Sequence, residues 1–138
     1  MFALRFQGEA VELDRGRFWA ETRAACGLDR LEWLDAVDAL CRRELVLSDD
    51  GSFVQTGEIS FGPDDSITFR AQGELGASPH ARLRHGTAVL EVTGGRGRLA
   101  GARGLVTSNF LLSDAGDLND HHFGLLFLER PPEEANHQ

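Results

Sequence analysis

At 138 residues and 15.1 kDa, with a formal net charge of -8 and a pI near 5.0, the chain fits one domain with a single continuous core. The acidic balance weighs against a nucleic-acid groove, which needs a basic face to neutralise phosphates, and against a surface resting on anionic lipid. All 14 basic residues are arginines and tyrosine is absent, a bias read first as GC-rich genome composition; no lysine can form a Schiff base and no tyrosine can act as an acid.

Cys26 and Cys41 are too few for a metal knuckle or a disulfide framework, and free thiols in a reducing compartment are the expected state. The N-terminus lacks the apolar run of a signal peptide, and no apolar stretch reaches membrane-spanning length. The expected location is the cytoplasm.

Phe2, Leu4 and Phe6 alternate with Ala3, Arg5 and Gln7, the pattern of a half-buried strand that Ala10 to Leu13 extends. From Arg17 to Cys26 the pattern reads as helical, with Phe18, Thr22 and Ala25 on one stripe and Gly27 as the stop. Asp29 and Glu32 form a capping-box pattern ahead of Leu31, Leu34, Val37, Leu40 and Cys41, which predicts a helix from Leu31 to about Arg43.

The period then changes to two. Leu45 to Leu47 runs into a turn with the pair Asp50-Gly51, and Phe53, Gln55, Gly57, Ile59 and Phe61 share one face of the next strand. After the turn at 62–65, Ile67, Phe69, Ala71, Gly73 and Leu75 face one way, with Thr68, Arg70, Gln72 and Glu74 opposite. Ala81 to Thr93 reads as a long strand bent at Gly86, Leu105 to Ser113 as another, and His121 to Glu129 as the last. The residues 131–138 read as a disordered tail, which leaves 1–130 as one domain with a helical segment about 17–43. Closely spaced strands with glycine-rich turns argue for a barrel or a sandwich.

Between two of these strands lies Thr93-Gly94-Gly95-Arg96-Gly97-Arg98-Leu99-Ala100-Gly101-Ala102-Arg103-Gly104. The segment resembles the glycine-rich turn of allene oxide cyclases, dirigent proteins and related bacterial barrels. Its glycines suit a tight turn with positive φ, while Leu99 and Ala102 would plug one barrel end. The segment does not fit a nucleotide loop, because Gly95-Arg96-Gly97 lacks the third glycine and no helix start follows. The resemblance implies a mainly β protein, an antiparallel calycin-like barrel of eight strands with an apolar cavity. It further implies a cofactor-independent cyclase or isomerase that holds a reactive apolar substrate in one conformation, in natural-product biosynthesis.

Several residues could carry that chemistry. His121 and His122 are adjacent, so on a strand they point to opposite faces, and the inward one could protonate an epoxide or carbonyl; a hydrogen-bonded structural histidine is the competing reading. Glu91 points into the barrel if Leu90 and Val92 pack outward against the N-terminal helix, where it could act as acid or base; a surface glutamate paired with an arginine is the alternative. Taking His122 as the inward histidine makes Glu91 and His122 the candidate catalytic pair. Gln55, on an apolar face with Phe53, needs a partner or a ligand, and with Phe69, Asn109, Phe110 and Trp19 it forms the candidate substrate-binding set. Asn109 could orient a carbonyl and Trp19 could line a cavity mouth, or each could serve packing alone. Asp117, Asn119 and Asp120 read as an acidic loop without calcium-site spacing, so no metal and no cofactor is expected. The expected partner is a small hydrophobic molecule. A non-catalytic carrier of such a ligand is the second reading, and an oligomer built by pairing of barrel faces is the third.

Overall fold

The computed structural model describes residues 2–24, the backbone at 30 and 31, and residues 38–128. It contains nine strands: β1 (Phe2–Asp14), β2 (Arg17–Ala24), β3 (Arg30–Leu31), β4 (Ala39–Leu47), β5 (Ser52–Phe61), β6 (Ser66–Ala77), β7 (Leu83–Arg96), β8 (Arg103–Ser113) and β9 (Asp117–Phe127). A single 3₁₀ turn, Gly97–Leu99, joins β7 to β8. Among the described residues no helix is long and apolar enough to cross a membrane.

Eight of the strands form a closed antiparallel barrel in which each pairs with its neighbours along the chain. Closure falls to β1, whose thirteen residues serve two partners. Its first half, Phe2 to Glu9, pairs with β9, and its second, Gln7 to Asp14, pairs with β2. The two-residue β3 adds only to Phe2 and Ala3. A closed barrel leaves no long unpaired edge for another chain to extend.

The helical segment expected from 17 to 43 is not found. Residues 17–24 form β2, paired to β1 on one side and to β4 on the other, and 39–43 form the start of β4. Phe18 and Thr22 lie four residues apart, a spacing that one face of a helix and one face of a strand both satisfy. Two-sided pairing satisfies every backbone group here, and that outweighs local propensity. The capping-box residues, Trp33, Cys26 and the rest of the expected helix lie outside the described residues, as does the expected tail.

The barrel has two unlike ends. At one, the β5–β6 turn meets the 3₁₀ turn, and the Asp65 carboxylate accepts from the Arg98 backbone amide (2.8 Å), Nη2 (2.8 Å) and Nε (3.1 Å). Gly97 allows the approach: its φ is +67°, and a Cβ there would strike the Asp64 carbonyl. Behind this clamp Leu99 and Ala102 are fully buried and close the end. The other end, formed by the β1–β2, β4–β5 and β8–β9 turns, is open.

Six of the nine phenylalanines are buried inside the barrel, and glycines on neighbouring strands make room for them. The Phe110 ring covers Gly86 and the Phe2 ring covers Gly124, so a Cβ at either glycine would collide with the ring. No register shift falls at Gly86, and β7 pairs regularly through it. The bulge lies at Thr93 instead, where Phe69 pairs with Val92 while Thr68 pairs with Gly94.

Candidate functional site

Inward positions on these strands are apolar with a few exceptions: Thr22, Cys41, Arg43, Gln55, Ser108, Asp120 and His122. Four of them form one network. Asp120 Oδ2 accepts from Arg43 Nη2 and is 2.8 Å from His122 Nε2, while Oδ1 accepts from Ser108 Oγ at 2.8 Å. Arg43 is 3% exposed, Asp120 0% and His122 2%.

The fold builds this network from parity and small neighbours. Arg43 reaches from β4 toward β9, past Ala20, its partner on β2. Gly57, its partner on β5, leaves space beside it: a Cβ there would come within 2.8 Å of the Arg43 Cβ. Asp120 and His122 are alternate residues of β9, and Ser108 is the β8 partner of His122. The His122 ring lies 4.7 Å from the Phe6 ring, and the Arg43 guanidinium is 5.9 Å from the centre of Phe110.

Burial alone would raise the carboxyl pKa of Asp120, but the charges of His122 and Arg43 and their hydrogen bonds outweigh it and hold it well below the ordinary value. Burial likewise works against the Arg43 cation, and Asp120 more than restores it. The ion pair is therefore formed and internally neutral. Burial pushes the Cys41 thiol up to about 11, so this residue is a protonated thiol at neutral pH and no nucleophile.

His122 Nδ1 has no hydrogen-bond partner among the described residues. In the tautomer that donates Nε2–H to Asp120, Nδ1 would present a lone pair, the arrangement of an oriented general base. Gln55 is equally buried, at 2% exposed, and neither its Oε1 nor its Nε2 finds a partner among the described residues.

Arg43 and Phe110 form the floor of an apolar neck of about 30 Å³, walled by Phe18, Leu45, Leu47, Leu75, Leu112 and Leu118. The neck widens into a mouth of about 590 Å³ at the open end, whose rim carries Glu12, Arg15, Asp49, Arg84 and Asp114. Toward the plugged end the interior is occupied by Phe2, Phe6, Phe61, Phe69 and Leu90. The neck and mouth at the open end are the room for a ligand that these residues leave inside the barrel.

The other sequence-selected residues divide by parity. Phe53, Phe69 and Phe110 are inward and buried, and Phe53 packs on Phe110 at 5.9 Å between ring centres. Glu91 is on the outside, because Leu90 and Val92 are the inward pair, and it binds Arg70 at 2.8 Å in the exposed alternative. Asn109 is also exposed on the outer face, between inward Ser108 and Phe110, and Trp19 is 38% exposed on β2. Arg43 and Asp120 are not among the sequence candidates, because the pattern puts Arg43 at the end of a helix and Asp120 in a loop. The signal that finds them is a charged residue at inward parity: Ala39, Cys41, Arg43, Leu45, Leu47 on one strand and Leu118, Asp120, His122, Gly124, Leu126 on the other.

Among the described residues no three His, Cys, Asp or Glu side chains converge as a metal site. Comparison with protein-family models, with curated proteins and with solved structures gives no match to this chain.

Proposed function

We propose that this barrel binds a small hydrophobic molecule through its open end, with the apolar part of the ligand in the neck above Arg43 and Phe110. The observation behind this reading is the apolar neck itself, which leads from a wide polar mouth to a single buried charged network. A mouth of this size falls in the range of small-molecule sites. The resemblance of Thr93 to Gly104 to the allene oxide cyclase and dirigent turn supports the same class of ligand. Titration of the protein with Nile red, an apolar fluorophore, tests it. Saturable binding is expected, and Ala10→Phe, which fills the junction of mouth and neck, abolishes it. Binding that survives the filled neck refutes the reading.

A second reading, cofactor-free cyclisation or isomerisation of that ligand, is favoured by one observation, the free Nδ1 of a histidine anchored to Asp120. His122 would take or give the proton and Asp120 would hold the ring. In deuterium oxide the protein should then speed deuterium incorporation next to the carbonyl of 2-octanone, and His122→Gln should lose that effect. Equal rates for the two proteins leave the carrier role.

A further inference from the structure

Resting on the binding reading above, we infer that Gln55 selects the ligand. The deep end of the bound molecule carries one uncharged group that both donates and accepts hydrogen bonds, a hydroxyl or an amide, at a slim apolar end of the ligand.

Gln55 adjoins the neck at the level of Leu45. It is on the inner face of β5, two residues deeper from the mouth than Phe53. Its cross-strand partner on β4 is Leu45, a wall of the neck. Phe53 packs against Phe110, part of the floor, and Gly57, the next inward residue, is paired with Arg43. Arg43 and Gln55 are therefore diagonal neighbours on adjoining strands, within the reach of long side chains.

Its chemistry is unspent. A buried amide without partners is destabilising, so an occupant that satisfies it is favoured. Gln55 offers a donor and an acceptor together, and a hydroxyl or amide answers both.

The charges nearby exclude ionised groups. The Arg43 cation is matched by Asp120, whose second oxygen is taken by Ser108, and Cys41 stays a neutral thiol. A ligand carboxylate would set a second negative charge beside Asp120, and an ammonium would set a second positive charge beside Arg43, both away from water. The neck decides how much of the ligand enters: its room, about 30 Å³ between leucines and Phe18, takes only a slim terminal group, and the bulk of the ligand lies in the mouth.

Calorimetric titration of the full chain with 1-octanol, methyl octyl ether and octanoate tests the inference. The alcohol should bind about tenfold or more tighter than the ether or the carboxylate, since a site built to hydrogen-bond a hydroxyl rejects analogues lacking it. Gln55→Met, close in volume, should bind alcohol and ether alike, with Gln55→Leu as the second variant if the first does not fold. Equal affinity of the native protein for alcohol and ether, or a preference that persists in the variant, overturns the role of Gln55 and leaves the binding reading standing. Failure of all three probes to bind in a manner blocked by Ala10→Phe overturns both.

Discussion

Arg43 and Asp120, 77 residues apart in the chain, are joined by a charge-assisted hydrogen bond inside the barrel, from strands that are separated in the wall by β1 and β2. Both are buried; Asp120 keeps Arg43 charged, and His122 and Arg43 together keep Asp120 ionised. Removing one partner leaves a bare charge in an apolar interior. Arg43→Met or Asp120→Asn alone is expected to cost about 3–5 kcal/mol of stability. Arg43→Met combined with Asp120→Leu should cost less than the sum of its two component substitutions, with a coupling of about 2 kcal/mol. Urea unfolding of the native protein and these variants measures both quantities.

The same carboxylate sets the acid limit. The Asp120 pKa is lowered on folding, so the stability it contributes is complete above the ordinary value of 3.8 and is lost as pH falls toward the folded value. The native protein should lose stability steeply below pH 4. The Arg43→Met/Asp120→Leu variant should show a shallower slope there. Unfolding midpoints between pH 5 and pH 2.5 check this.

Cys41 sets an alkaline limit of opposite sign. Its thiol pKa rises from 9.0 to about 11 because burial disfavours the thiolate. Its contribution is whole below pH 9 and declines as pH rises toward 11, by up to about 3 kcal/mol. In a Cys26→Ser background, Cys41 should resist a thiol reagent at pH 8 and react only on unfolding, and Cys41→Ala should flatten the alkaline slope.

Gly86→Ala tests the packing of the floor. The new methyl would meet the Phe110 ring, and the ring can move only toward the neck it now bounds. Overpacking of this kind costs about 1–3 kcal/mol. The variant should also bind Nile red more weakly, and Phe110→Leu in the same chain should restore stability. Thermal unfolding and the dye titration together separate the two effects.

The period of two along β5 to β9 is written in the residues. Phe53, Ile59 and Phe61, or Ile67 and Phe69, alternate with residues such as Thr56, Glu58, Ser60, Thr68 and Arg70 because one face of each strand is buried and the other is wet. That pattern yields strands, their inward residues and the turn that Leu99 plugs. It also places Gln55, Phe53 and Phe69 on one apolar face. Three things it does not contain. The sequence around Thr22 and Cys41 fits a helix as well as a strand, and only pairing with β1 and β5 decides for the strand. Whether Leu90 and Val92 or Glu91 face inward depends on what packs on each side of β7, and the barrel interior takes the leucine and valine because burying an unpaired carboxylate costs far more than exposing it. Finally, no local pattern links Arg43 to Asp120. Each reads as an ordinary polar residue until barrel closure brings β4 and β9 to the same interior, where low dielectric turns two distant charges into one neutral pair.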